Sequence, residues 1–109
     1  MRMDPKLNLL APWQPPHSPS GIEAELHKEV GAEHPLYRRQ ATALAVAQDR
    51  DDVLFLIEGP ISPRYAVVHL TWSQRREPHP WPETRFFDTS DQWIDFMKAD
   101  HADYTYGEG

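Results

Sequence analysis

The chain has 109 residues, eleven prolines, no cysteine, and a formal net charge of -6. That length suits one domain with a single modest core, and the missing thiols exclude disulfides, thiol catalysis and thiolate metal sites, as suits a reducing compartment. The charge is uneven: residues 1–87 carry 11 acids against 10 bases, whereas from Asp88 onward six acids face Lys98 alone.

An acidic end opposes binding to a phosphate backbone, which needs clustered Lys and Arg, so no nucleic acid is expected. It permits a basic protein partner, or is simply the solvated face of a helix and its tail. No run approaches the ~20 apolar residues of a membrane span, and the opening MRMDPKLNLLAPW lacks the apolar stretch of a signal peptide. A soluble cytoplasmic protein without membrane contact is the expectation.

Residues 1–19 hold five prolines, which favour extended backbone over helix. Leu9, Leu10 and Trp13 read either as an anchoring strap or as part of a free arm. Ser20-Gly21-Ile22-Glu23 has the form of a capping box, and Ile22, Leu26 and Val30 follow on one helical stripe. Gly31 and Pro35 close that helix.

Thr42–Ala47 is expected as a strand, with a helical alternative kept open by its alanines. Val53–Glu58 is apolar at five successive positions, as a strand covered on both faces would be. Gly59, Pro60 and Pro63 form the turn into a third strand, Tyr65–Trp72. Alternation there places Ala66, Val68, Leu70 and Trp72 on one face and Tyr65, Val67, His69 and Thr71 on the other.

Ser73–Arg85 is a loop held extended by Pro78, Pro80 and Pro82, and Arg85-Phe86-Phe87 is a short edge strand. Thr89-Ser90-Asp91-Gln92 caps a second helix with an apolar stripe of Trp93, Phe96 and Met97. The expected fold is α+β, a small antiparallel sheet of three to four strands flanked by an N-terminal and a C-terminal helix (α-β-β-β-(β)-α), both helices on one sheet face. Residues 1–19 form the arm, 20–101 the domain and 102–109 a flexible tail.

HPLY at 34–37, DDVLF at 51–55, YAVVHLTW at 65–72 and WPETRFF at 81–87 together resemble a group of short, uncharacterised bacterial proteins. The resemblance spans about residues 20–100. It implies a bacterial, single-domain, cytoplasmic protein and brings no activity, cofactor or catalytic residue with it.

Two functional readings come from the residues themselves. The first is a non-catalytic protein-interaction module, an inhibitor or immunity-type factor. It would bind through Arg75, Arg76 and Trp81 on the proline-rich loop, or through Asp91 and Asp95 on the second helix. Trp and Arg are enriched at binding hot spots, and prolines lower the entropy lost on immobilisation. Against it stands a loop whose Trp81 covers the sheet edge while its prolines block aggregation.

The second reading is a small metal-free phosphodiesterase or ribonuclease. His69 and Glu58 would exchange protons and Arg64 would neutralise charge on phosphorus. Its bland counterpart is a half-buried, hydrogen-bonded His69. The six histidines show no standard metal-ligand spacing, and neither a glycine-rich phosphate loop nor a G-x-S-x-G elbow occurs. Neither metal nor cofactor is expected, an enzyme is the less favoured reading, and a homo-oligomer stays open.

Overall fold

A computed structural model describes residues 9–59 and 63–108, with side chains up to residue 105. The elements run β1 (Trp13–Gln14), α1 (Pro19–Glu29), β2 (Ala41–Ala47), β3 (Asp52–Ile57), β4 (Tyr65–His69), β5 (Thr84–Phe87) and α2 (Ser90–Glu108). The five strands form one antiparallel sheet in the order β1-β2-β3-β4-β5. The α+β class holds, with five strands instead of three to four.

The fifth strand is the two-residue β1. Trp13 pairs with Ala47, and its side chain is buried, so the proline-rich arm docks from Leu9 onward. Residues 1–8 and the turn residues 60–62 lie outside the described residues.

The two helices occupy opposite faces of the sheet, which corrects the expectation of a shared face. Ile22 and Leu26 of α1, with Val30 at its C-cap, pack on Val53, Phe55, Ile57, Ala66 and Val68. Trp93 and Met97 of α2 pack with Trp13, Leu54, Val67 and Phe87. The reason lies in β3, which is apolar on both faces and leaves both in need of cover.

β2 adapts to this arrangement with a bulge. Ala43 pairs with Phe55, and Ala45 pairs with Leu54, so Leu44 is the extra residue. Ala41 and Ala43 therefore face α1, while Ala45 and Ala47 face α2. The Ala43 amide donates to Glu23 Oε2 of α1 at 2.8 Å.

Ser18, one residue before Pro19, is the N-cap of α1, and its side chain makes no capping bond. The Ser20 capping box does not form: Ser20 lies inside the helix and Glu23 serves the bulge. Pro19 belongs at the first helical position, where its missing amide costs nothing. The start of α2 is close to expectation. Thr89 Oγ1 accepts from the Gln92 amide at 3.2 Å, and Gln92 Oε1 accepts from the Asp88 amide at 2.7 Å. Helix continues through Glu108, over most of the span expected as a tail. Among the described residues, no helix is long and apolar enough to cross a membrane.

Candidate functional site

β4 stops at His69, three residues short of the predicted Trp72. The backbone beyond it is taken over by two acids of α1. Glu29, fully buried, accepts the Thr71 amide at 3.0 Å and the Trp72 amide at 2.8 Å. Glu25, also buried, accepts the Gln74 amide at 2.9 Å. Trp72 and Gln74 take positive φ angles of 58° and 64°, an unusual backbone for residues with side chains, and these carboxyl bonds hold it.

Burial pushes the Glu29 carboxyl up to about 7, and its hydrogen bond with Glu25 adds to the rise; the Thr71 and Trp72 amides oppose it. Among the described residues, neither carboxyl has an ion-pair partner.

The other end of the loop is tied down by His34. Its Nδ1 accepts the Leu36 amide at 3.0 Å, so the proton sits on Nε2, which donates to the Pro82 carbonyl at 3.0 Å. Burial lowers the His34 pKa and keeps the ring neutral. The loop is anchored at a third point, where the Glu77 amide donates to the Glu29 carbonyl at 2.8 Å.

Held this way, the loop still presents large apolar groups to solvent. Trp72 is 44% exposed and Trp81 is 42% exposed. A groove of about 610 Å³ runs beside Trp81, with Gly31, His34, Arg76 and His79 among its walls. The Arg76 guanidinium lies 6.0 Å from the Tyr37 ring centre. Neither Arg75 nor Arg76 forms an ion pair among the described residues. Asp91 and Asp95 are exposed on α2, across the sheet from α1, so the five expected binding residues fall into two groups.

His69 belongs to a different cleft. Its Nδ1 is 2.8 Å from Asp52 Oδ1, directly across the β3–β4 ladder, and its side chain is 47% exposed. Glu83, Arg85 and Phe96 complete a cleft of about 390 Å³ on the α2 side. Asp52 also binds Arg50 at 2.6 Å, and Arg50 binds Asp100 at 2.7 Å. Burial pulls the Arg50 pKa down, but its bonds to Asp100 and Asp52 more than offset this and hold it raised.

Glu58 and Arg64 are not part of that cleft. The register pairs His69 with Asp52 and Tyr65 with Leu56, which puts both at the other end of the hairpin, roughly 16 Å or more along the strands. Glu58 instead accepts from the Thr42 hydroxyl at 3.2 Å. The carboxylate beside His69 is Asp52, and the arginine in its cleft is Arg85. Among the described residues, no group of three or more His, Cys, Asp or Glu is placed to hold a metal ion.

Residue patterns did contain a sign of the buried acids. At about 100° per residue, Glu29 lies about 20° from Ile22 on the helix wheel, inside the apolar arc. No protein-family model, curated protein or solved structure matches this chain.

Proposed function

We propose that this protein is a small interaction module, of the inhibitor or immunity type, that binds a protein partner through the Thr71–Trp81 loop. One observation carries the reading: the loop is fastened to α1 by buried Glu25 and Glu29 and to the turn after it by His34, yet Trp72 and Trp81 keep more than two fifths of their surface in solvent. Burial of such aromatics is the main source of energy at protein interfaces, and a loop held before binding loses little entropy when it docks. Arg75 and Arg76 beside them suit a partner surface with an apolar centre and carboxylates at its rim. The exposed Asp91 and Asp95 form a separate patch on α2 and play no part in this contact.

The test is a tagged pull-down from native lysate, run beside Trp81→Ala and Asp91→Asn/Asp95→Asn controls. A stoichiometric partner that is lost with Trp81→Ala and kept with the α2 variant supports the loop. A partner lost only with the α2 variant, or no partner at low salt, overturns it.

A second reading is favoured by the 2.8 Å contact between His69 and Asp52. Asp52 orients the ring and leaves Nε2 toward the cleft as a general base, with Arg85 to receive developing negative charge. That arrangement suits phosphodiester cleavage. A substrate screen checks it, with activity abolished in His69→Ala while the fold is retained.

A further inference from the structure

The Glu25–Glu29 pair is unusual for two acids in a small domain. Both side chains are buried, one turn apart on α1, and set against the backbone amides of one short segment instead of a cation. Two ionised carboxylates held this close and out of water repel each other and lose their hydration, so one proton on the pair is the favoured state.

Among the described residues, the surroundings supply neither acid with an ion-pair partner. On α1 itself, Glu23 is bonded to the Ala43 amide, and His27 and Lys28 are exposed. On the loop, Arg75 and Arg76 are exposed, and Glu77 accepts from the Thr71 hydroxyl at 2.8 Å. In the turn after α1, Glu33 is exposed and His34 is kept neutral by burial, its Nδ1 occupied by the Leu36 amide. β2, packed under α1, has no charged residue, and the one titratable imidazole of β4, His69, bonds Asp52 in the cleft on the α2 side.

We propose that Glu25 and Glu29 form a proton-dependent latch on the tryptophan loop. With one proton between them, the two acids hold the Thr71–Gln74 backbone in its positive-φ conformation. When that proton leaves, the second negative charge is relieved by opening the segment to water, and Trp72 loses its fixed position. The latch regulates the surface described above, and its consequence for binding rests on that reading. The latch itself is a property of the free protein.

Glu29→Gln is the discriminating variant. Its carbonyl oxygen accepts the same amides, its NH₂ group donates to Glu25, and it does not titrate. The test is amide hydrogen exchange by NMR on the free chain from about pH 5 to about pH 8.5, corrected for intrinsic exchange. In the native chain, protection of Thr71, Trp72 and Gln74 should be lower than that of Leu54 and Phe55, and should fall at least about tenfold over this range. In Glu29→Gln the same amides should keep their protection throughout.

Loop amides that exchange only together with Leu54 and Phe55 at every pH would overturn the latch, as would an equal loss in Glu29→Gln. No partner is needed for this readout. A latch that fails leaves the binding surface untouched, and a missing partner leaves the latch standing.

Discussion

Glu29 in α1 and Trp72 beyond β4 are 43 residues apart, and the Glu29 carboxyl accepts the Trp72 amide at 2.8 Å. The bond ends the strand, turns the backbone into positive φ and leaves the indole in solvent. The same carboxyl is raised to about 7 by burial and by its bond to Glu25. Above about pH 4.5 the unfolded chain has released this proton while the folded chain retains it. The contribution of Glu29 to stability should therefore be fullest below that pH, decline through the window from about 4.5 to about 7, and level off above, by on the order of 3 kcal/mol in all. Urea denaturation across this range checks it. Glu29→Gln should remove most of the slope and be more stable than the native chain at pH 8; an unchanged slope argues against Glu29 as its source.

Asp100 is the knot that binds the N-terminal strap to the domain. Its Oδ2 accepts the Trp13 indole N–H at 2.7 Å and the Arg50 guanidinium at 2.7 Å, and Arg50 lies over the Trp13 ring. Asp100→Ala should cost about 2 kcal/mol and expose the segment from Leu9 to Trp13 to proteases. Cleavage there at the native rate would show that the β1–β2 ladder, the His101 bond to the Ala11 carbonyl and apolar packing hold the strap without Asp100.

Trp93 is fully buried and meets Trp13 edge-on at 4.9 Å, with Phe87 and Phe96 close by. Trp93→Ala should cost about 3–5 kcal/mol. Among the described residues its indole N–H has no hydrogen-bond acceptor, so Trp93→Phe gives up volume without losing a bond and should cost less than half as much. Thermal melts of the two variants separate volume from polarity.

Much of the fold was legible from residue spacing because the apolar patterns were strong. Ile22, Leu26 and Val30 marked α1, Val53–Ile57 marked a strand buried on both faces, and Thr89 with Gln92 marked the start of α2. β1 was hidden because two paired residues among prolines leave no period to read. The bulge at Leu44 was hidden because alternating alanines look the same whether they face one helix or two.

The candidate site was legible as residues but not as an arrangement. Trp81 and Arg76 stood out by type, whereas the pairing of His69 with Asp52 depends on a register that a turn sets. Glu29 was readable on the helix wheel. Its partners were not, since they are main-chain amides that any sequence supplies.

Affinity is the decisive readout of whether the loop fastened to α1 is the binding surface. The captured partner would be purified and titrated against the native chain, Trp72→Ala, Trp81→Ala and His69→Ala. The two tryptophan variants should each weaken binding by at least about thirtyfold, a hot-spot effect of about 2 kcal/mol, while His69→Ala leaves it unchanged. Affinity that survives both tryptophan substitutions and collapses with His69→Ala would rule out the loop and move the functional site to the cleft on the α2 side.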